Sequence, residues 1–337
     1  MKAMVLEAPG RLAREEVARP AARAGEVLVR VTHTGICGTD LKIYNGSIRV
    51  SCPLVMGHEV AGEVVESGIN ALKRGDRVII DPVLYCGNCF HCRKGQTNLC
   101  ANGKLIGRDS DGGFAEYAVV PATHAFRLPD SISLRTAPLV QVATTCLHGQ
   151  RSLPLFAGES VVVLGLGVSG QLHVQIAKTR GAGLVIGVSR GALKREMARA
   201  QGADVTIEPG EGALAKVLEA TDGRGADVAI ESTGVMPMVA EAIRMARFGG
   251  QVLLFGIMSA REGMLPFYDL YFKELTLHNG RAAKGEDFPD MLGLVERGAV
   301  RLEPLVTHRM PLGELESAIG LVEDGADGRL KIILDHE

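Results

Sequence analysis

The sequence predicts an α/β protein of two domains: a β-rich domain and a doubly wound sheet of six parallel strands. The first observation behind this is length, because 337 residues exceed the roughly 250 to 300 at which a single hydrophobic core stops growing. The second is a run of short β-branched segments before residue 151. The third is a regular alternation of apolar strand-length runs and helical segments after it.

The first domain is predicted from short strands separated by Gly, Pro and Asp. They lie at 26–32, 60–65, 77–80 and 116–120. Segments of this length and composition are typical of a small β-rich domain.

The second domain is predicted from alternation. Predicted strands lie at 160–165, 184–188, 204–207, 227–231, 251–256 and 274–278, with helices at 168–180, 193–201 and 238–248. Strands that alternate with helices imply crossover connections and a parallel sheet covered on both faces. After residue 287 the pattern predicts two helices and a last strand at 331–334, which we assign to the first domain. The predicted domains are therefore 1–151 with 288–337, and 152–287.

Four cysteines lie within fifteen residues, with gaps of two, two and seven: Cys86, Cys89, Cys92 and Cys100. Four thiolates on short loops suit a tetrahedral Zn²⁺ at about 2.3 Å. The segment 86–100 is therefore predicted to be a structural zinc lobe, which has no open coordination position. A disulfide pair and scattered buried thiols are the alternatives.

Three glycines follow the first strand of the second domain in the pattern G-x-G-x-x-G: Gly165, Gly167 and Gly170. The first permits a tight turn, the second lets the backbone approach a pyrophosphate, and the third lets helix and strand pack closely. The helix that opens at Val168 would present its N-terminus to the anion. We predict a dinucleotide site here and include Gly256, which ends a later strand.

The end of the next strand decides between NAD and NADP. An acidic residue about 20 positions on would bind the ribose of NAD, but this sequence has Ser189 followed by Arg190. Without a carboxylate to repel it, a 2′-phosphate can bind the guanidinium. NADP is the predicted cofactor and NAD the alternative. If the alternative holds, Arg190, Lys194 and Arg195 are the solvated face of a helix start.

A second metal site is indicated upstream. Cys37 lies in a glycine-flanked turn after a strand, and His58 and Glu59 lie together at the start of another. A thiolate, an imidazole and a carboxylate suit a catalytic zinc that keeps one position open for substrate.

Five motifs follow one another in the chain: GICGTD, GHE, the four-cysteine segment, DGGFAEYAVV at 111–120 and the glycine pattern. In these motifs the chain resembles the zinc-dependent medium-chain alcohol and polyol dehydrogenases, the family of sorbitol, threonine and glucose dehydrogenases. The resemblance runs from about residue 1 to 335. It implies a GroES-like catalytic domain, a Rossmann domain, and a catalytic zinc in the cleft between them.

The resemblance also implies residue roles. Cys37 and His58 would bind the catalytic zinc, with Glu59 as a neighbouring group or exchangeable ligand, and the four cysteines would bind the structural zinc. The position of the family's third ligand holds Gln141. Its amide oxygen can coordinate zinc but is neutral, so Gln141 itself, Glu59 or water would complete the set. Cys146 is a further alternative, and its other interpretation is an ordinary buried thiol. Thr39 would take the substrate proton, but Lys42 stands where relatives carry the relay histidine.

The predicted function is hydride transfer between NADP(H) and a secondary alcohol, polyol or sugar, or the matching ketone or aldehyde. An NAD-dependent enzyme of the sorbitol or threonine type and a non-catalytic nucleotide-binding zinc protein are the alternatives. The near balance of 37 basic and 39 acidic residues argues against a nucleic-acid or membrane surface. No leader or spanning segment is evident, so we expect a cytoplasmic protein.

Two further expectations concern substrate and assembly. Side chains near Tyr44, Ile48, Phe114 and Arg281 are expected to line the substrate pocket. The last strand of the parallel sheet, near 274–278, would have an open edge that can pair with a second copy. We expect a homo-oligomer, a tetramer as in the relatives resembled or a dimer.

Overall fold

The computed structural model describes residues 1–258, 260–325 and 328–336. The chain divides into two compact units. The first comprises Met1–Thr144, Ala283–Glu296 and Leu302–Glu337, and the second comprises Thr145–Ala282 with Arg297–Arg301. The predicted boundaries lay at 151/152 and 287/288. Residues 326, 327 and 337 of the predicted first domain lie outside the described residues.

The first part of the chain is rich in short strands. Its elements are β1 (Lys2–Ala8), β2 (Arg11–Glu16), β3 (Glu26–Gly35), α1 (Gly38–Tyr44), β4 (Leu54–Val55), β5 (Glu59–Ser67), β6 (Arg77–Ile80), β7 (Val83–Leu84), α2 (Phe90–Arg93), β8 (Lys104–Leu105), β9 (Tyr117–Pro121), β10 (Ala125–Arg127) and α3 (Pro138–Arg151). The four predicted strands are present as β3, β5, β6 and β9, with ends shifted by a few residues. The β1–β2 hairpin was not predicted.

The middle of the chain alternates strand and helix. Its elements are β11 (Ser160–Leu164), α4 (Val168–Thr179), β12 (Leu184–Val188), α5 (Ala192–Ala200), β13 (Val205–Ile207), α6 (Ala213–Ala220), β14 (Ala226–Glu231), α7 (Met236–Met245), β15 (Ala246–Leu254), α8 (Phe267–Phe272) and β16 (Thr276–Asn279). The strands form one parallel sheet in the order β13-β12-β11-β14-β15-β16. This confirms the doubly wound six-stranded prediction.

The predicted helix at 238–248 was too long. Helix α7 ends at Met245, and β15 begins at Ala246, so Phe248 lies in a strand. The apolar spacing continues past the helix end, but Ala246 pairs with Ala226 of β14. Sheet pairing outweighs the local helical pattern there. Helices α6 and α8 were not predicted.

The last part of the chain returns to the first unit. Its elements are α9 (Asp287–Glu296), β17 (Val306–Pro311), α10 (Leu315–Asp324) and β18 (Lys331–Asp335). Strand β18 pairs antiparallel with β3 and parallel with β17, which places the end of the chain inside the sheet of the first unit. Strand β17 was not predicted, whereas the two helices and the last strand were.

The core of the second unit lies on both faces of its parallel sheet. In the second unit, apolar side chains alternate between the two faces of the sheet: Val162, Leu164 and Ile186 pack on one face, and Val161, Val163 and Val185 pack on the other. Burial on both faces is what a parallel sheet with crossover helices requires. Among the described residues, no helix has the length and apolar character needed to cross a membrane.

Candidate active site

Cys37, His58 and Glu59 are brought together by strand register. In the antiparallel pair β3–β5, Gly35 lies opposite Glu59, so the chain leaving β3 and the chain entering β5 are neighbours. One donor atom from each of Cys37, His58 and Glu59 lies within 4.8 Å of the other two. His58 and Glu59 are buried. This donor set, a sulfur, an imidazole nitrogen and a carboxylate oxygen, fits Zn²⁺.

Asp40 orients two of these groups. It lies in the first turn of α1, where its Oδ2 accepts a hydrogen bond from the Cys37 backbone N–H at 2.8 Å. Its Oδ1 lies 3.2 Å from Nδ1 of His58, so Nε2 is the imidazole nitrogen left for a metal. A carboxylate behind a metal-binding histidine fixes the ring and strengthens it as a ligand.

The electrostatics of the cluster follow from these contacts. Burial alone would raise the pKa of the Cys37 thiol, but the hydrogen bond and charge of His58 lower the pKa below its usual value. Burial would lower the pKa of His58, and the Asp40 carboxylate instead raises that pKa well above its usual value. Zinc binds a thiolate and a neutral imidazole, so metal binding would release protons from this pair.

Glu59 is held by a residue from the far end of the chain. The Lys331 ammonium donates to both carboxylate oxygens of Glu59, each at 2.7 Å, and to the Ile36 carbonyl at 3.0 Å. Both side chains are buried, at 5% and 1% exposure. A Cβ at Gly35 would lie 1.9 Å from the Glu59 carboxylate, so only glycine leaves room for it. All three N–H donors of Lys331 are used at this site.

The other predicted active-site residues lie on two helices, α1 and α3. Gln141 is a buried residue of α3, and Thr39 is half-buried in the first turn of α1. Their ligand and proton-transfer roles stay predictions. Cys146 is fully buried, and its Sγ faces the Ser169 carbonyl at 3.7 Å. This contact accounts for Cys146 as an ordinary buried thiol.

The pocket expectation was wrong for Phe114. This ring is fully buried in the core of the first unit, beneath Gly57, where an added Cβ would lie 2.6 Å from it. Ile48 packs against the same core, and the Tyr44 hydroxyl donates to Glu316 at 2.8 Å. Position next to the zinc motifs in sequence did not determine which way these side chains face.

The four cysteines form a second cluster. Their sulfurs all lie within 4.8 Å of one another. The Cys86–Cys100 and Cys89–Cys100 sulfur distances are 3.5 and 3.9 Å, and all four are free thiols. Sulfurs bound to zinc at about 2.3 Å lie about 3.8 Å apart on a tetrahedron. The spacing fits a closed zinc site, and it is too long for a disulfide.

The thiols of this lobe differ in acidity. Backbone N–H groups of Cys92 and Ala101 lower the pKa of Cys89 to about 6. Burial and hydrogen bonding to Cys89 and Cys100 raise the pKa of Cys92 to about 12. One thiolate is thus stabilised by the backbone before any metal binds, which is a suitable start for a thiolate metal site.

The glycine fingerprint has the geometry that its spacing predicts. Gly165 has φ +91°, in the left-handed region, and a Cβ there would meet Thr233 at 2.5 Å. A Cβ at Gly170 would lie 1.9 Å from the Gly165 carbonyl oxygen, whereas one at Gly167 meets nothing within 4 Å. Gly167 caps α4, and Val168 is its first residue. The space beside Gly167 and the helix N-terminus fit a pyrophosphate.

Ser189 and Arg190 follow directly after β12, which is where the ribose of a bound dinucleotide would lie. The Ser189 N–H donates to the Ile207 carbonyl of β13 at 3.1 Å, and Arg190 is exposed. No carboxylate ends β12.

Gly256 and Glu231 lie at the same carboxyl edge of the sheet. A Cβ at Gly256 would lie 2.1 Å from the Gly234 nitrogen. Glu231, fully buried, accepts hydrogen bonds from the N–H groups of Thr233 at 2.6 Å and Gly234 at 3.1 Å, and from the Thr233 hydroxyl. Glu231 shapes the turn that faces Gly165.

Sequence reasoning missed Asp40, Lys331 and Glu231. A signal existed for Asp40, since an acidic residue three positions after Cys37 is typical of a helix first turn. Lys331 carried no readable signal, because its partner lies 272 residues away. The only sequence signal for Glu231 was its position at the end of a predicted strand.

Comparison with known families agrees with this geometry. The alcohol dehydrogenase GroES-like domain family matches residues 23–130, and the zinc-binding dehydrogenase family matches residues 169–297. The two matches cover most of the chain. The first lies in the first unit, and the second covers most of the second unit and continues into the first at 283–296.

Relatives align over nearly the whole chain. An L-threonine 3-dehydrogenase from Pyrococcus abyssi is 37% identical over 95% of this chain and 94% of its own length. A sorbitol dehydrogenase from Halalkalibacterium halodurans is 31% identical over 99% of both. A solved structure from Sinorhizobium meliloti 1021, assigned as a zinc-binding dehydrogenase and bound to NADP, superposes with a TM-score of 0.93 at 33% identity, covering 99% and 98%.

A GroES-like unit, a Rossmann unit and a thiolate–imidazole–carboxylate cluster define a zinc-dependent nicotinamide oxidoreductase. The chain belongs to the zinc-type medium-chain alcohol and polyol dehydrogenases.

Proposed function

We propose that this protein is an NADP-dependent dehydrogenase that interconverts a secondary alcohol, polyol or sugar and the matching ketone or aldehyde. The cluster of Cys37, His58 and Glu59 is the observation that carries the reaction type. The cofactor choice is supported by Ser189 and Arg190, where an acidic residue would favour NAD.

The chain's own residues have distinct tasks in this reaction. Cys37 and His58 bind the catalytic zinc, and Asp40 keeps the imidazole turned with Nε2 toward it. When bound, zinc would polarise the substrate oxygen and the nicotinamide would accept the hydride. Thr39 takes the hydroxyl proton, since it is the hydroxyl side chain two residues after the zinc cysteine. The lobe of Cys86, Cys89, Cys92 and Cys100 holds the second, structural zinc.

In this proposal Glu59 keeps its ion pair with Lys331 and does not bind the zinc. Two hydrogen bonds of 2.7 Å to a buried ammonium would have to break before both carboxylate oxygens were free, and a buried unpaired ammonium is strongly unfavourable. Gln141 or water is then the group that completes the zinc ligands besides the substrate.

The second candidate is an NAD-dependent enzyme of the threonine or sorbitol type. The 37% identity with an L-threonine 3-dehydrogenase favours the threonine-type substrate of this candidate. L-threonine and sorbitol both carry a secondary hydroxyl, so the two candidates share the reaction and differ in cofactor.

The test is a substrate panel run with each cofactor. Purified protein is assayed by the absorbance of the reduced nicotinamide with secondary alcohols, polyols, aldoses and L-threonine. We expect kcat/KM with NADP to exceed that with NAD by at least about tenfold, the value of one charge-assisted pair. A tenfold preference for NAD would overturn the cofactor assignment. No turnover of any panel member by zinc-replete protein would overturn the dehydrogenase activity.

We also propose that a second copy of this chain covers the edge of the parallel sheet. In the described residues β16 pairs on one side only, with β15. The helix α8 beside it exposes Phe267, Tyr268 and Tyr271 at 67%, 73% and 84%. An open edge next to exposed aromatic rings is a typical association surface.

Light scattering after gel filtration tests this interface. Leu277→Lys places a charge on the edge strand and should lower the measured mass toward that of the single chain. Phe156→Lys changes a side chain of the same unit that is 67% exposed and should leave the mass unchanged. A Leu277→Lys protein with the wild-type mass would reject the edge as the interface.

A further inference from the structure

We propose that Arg195 is a positioning residue for cofactor selectivity: it holds the Ser189–Arg190 backbone in the conformation that accepts a 2′-phosphate. This inference rests on the proposed NADP dependence. The ligand class is a nucleotide with a phosphate on the adenosine 2′-oxygen. Arg195 acts through the backbone of the two residues before α5 and needs no contact with the ligand.

The contacts of Arg195 carry the inference. Its Nη1 donates to the Ser189 and Arg190 carbonyl oxygens, each at 2.6 Å. Its Nη2 lies 3.4 Å from the Glu208 carboxylate, and the side chain is only 18% exposed. The expectation of a solvated helix face was therefore wrong for Arg195. Side chains in the first turn of a helix point back toward its N-terminus, so Arg195 reaches the preceding loop.

Holding these two carbonyls matters for an anion. Carbonyl oxygens carry partial negative charge, and a loop that turned them toward the nucleotide would repel a phosphate. Because the Arg195 guanidinium binds both, they face Arg195. The Arg190 side chain is exposed and makes no hydrogen bond or ion pair within the part of the chain that the structure describes. Its planar fork is available for a phosphate.

A buried amide links this loop to the glycine fingerprint. Gln171, fully buried, follows Gly170 in α4. Its Nε2 donates to the Leu166 carbonyl at 3.2 Å, between the first two fingerprint glycines, and to the Lys194 carbonyl at 2.8 Å. The turn that would hold the pyrophosphate and the helix that carries Arg195 are thus joined by one side chain. The segment expected at the ribose and the turn expected at the pyrophosphate are therefore connected through the Gln171 side chain.

Equilibrium binding of two nucleotide fragments tests the inference without turnover. Isothermal titration measures the dissociation constants of 2′,5′-ADP and AMP for the full-length wild-type protein, Arg195→Met, Arg195→Lys and Arg199→Met. Arg199 is the matched control, since it is an exposed arginine of the same helix. Circular dichroism confirms that each variant is folded.

We expect Arg195→Met to weaken 2′,5′-ADP about tenfold, the value of one to two hydrogen bonds to a charged group. AMP should change less than about twofold, because its binding does not use the 2′-phosphate position. Arg199→Met should change both by less than about twofold, because Arg199 is an exposed, solvent-screened charge one helical turn further from the loop. Arg195→Lys keeps the charge without the planar fork, and its affinity for 2′,5′-ADP should fall about threefold. If Arg195→Met does not fold, the Arg195→Lys variant provides the test.

Four results would overturn the inference. Arg195→Met and Arg195→Lys with wild-type preference for 2′,5′-ADP would show that the loop needs no support. An equal loss for AMP and 2′,5′-ADP would show a general structural effect. An equal loss in Arg195→Met and Arg199→Met would show long-range charge alone. A wild-type protein that binds AMP as tightly as 2′,5′-ADP would remove the NADP assignment and this inference together, whereas the first three results leave the NADP assignment standing.

Discussion

The two candidate metal clusters of the first unit differ in how their donor residues are held. The four-cysteine lobe takes every ligand from one fifteen-residue segment. The residues Cys37, His58 and Glu59 lie at the ends of two strands. Asp40 of α1 accepts a hydrogen bond from the Cys37 backbone, and Lys331 of the last strand donates to Glu59. A site whose donor residues all come from one segment can lose its metal without disturbing the neighbouring strands. A site built from strand register depends on contacts across the whole unit.

Replacing Cys37 by Ala should have the largest effect. Turnover should be abolished because the zinc loses its thiolate, while NADP binding, which uses the second unit, should be kept. Zinc should fall from about two to about one per chain, with the lobe still loaded. Metal analysis and nucleotide titration measure both. Cys52→Ala, which changes an exposed cysteine outside both clusters, is the control, and turnover by zinc-depleted Cys37→Ala protein would contradict the assignment.

Thr39→Val should lower kcat by about 10²- to 10⁴-fold, the usual contribution of a positioned proton-transfer group. Zinc content should not change, because Thr39 is not a ligand. Thr39→Ser keeps the hydroxyl and should keep most of the turnover. Steady-state kinetics with metal analysis decide the matter, and a Val variant as active as wild type would exclude Thr39 from proton transfer.

Lys331→Met should destabilise the protein by about 3 to 5 kcal/mol, because it leaves the buried Glu59 carboxylate unpaired. Lys331→Met with Glu59→Gln should recover much of this loss, since no buried charge remains. Lys216→Met, at an exposed lysine of α6, should cost less than about 0.5 kcal/mol. Chemical unfolding of Lys331→Met, Glu59→Gln, the double variant and Lys216→Met measures the coupling. Additive effects of Lys331→Met and Glu59→Gln would show that the pair is not a unit.

Asp81 should make stability pH-dependent without touching the reactive cluster. This residue follows β6 and precedes the lobe, and burial raises its pKa to about 7, with Asp287 adding to the rise. The native state therefore holds a proton that the unfolded state has released above about pH 4, so this contribution is present at low pH and lost as pH rises through about 7.

Asp81→Asn should remove that decline, raising stability at pH 8 relative to pH 5 by an amount on the order of 1 to 3 kcal/mol. Unfolding midpoints at the two pH values measure it. Asp130→Asn, whose side chain is fully exposed, should follow the wild-type profile. An Asp81→Asn protein with that same profile would place the titrating group elsewhere.

The same contrast explains what the sequence could predict. The zinc lobe and the glycine fingerprint were readable because their ligand and turn geometry is local, within fifteen and six residues. The role of Lys331 could not be predicted from the sequence, because its contact with Glu59 depends on the pairing of β18 with β3. Phe114 was expected in the pocket and lies in the core, because the loop before β9 is tied by backbone hydrogen bonds to Met4 and Met56, contacts that spacing does not show. Arg195 looked like a surface charge because helix position alone does not reveal that a side chain folds back onto a loop.

Diffraction near the zinc absorption edge, from crystals grown without chelator, tests the central claim most directly. The account predicts two anomalous peaks per chain, one among Cys86, Cys89, Cys92 and Cys100 and one between Cys37 and His58. A single peak in the lobe, with no density between Cys37 and His58, would contradict the assignment of the reactive cluster as a zinc site.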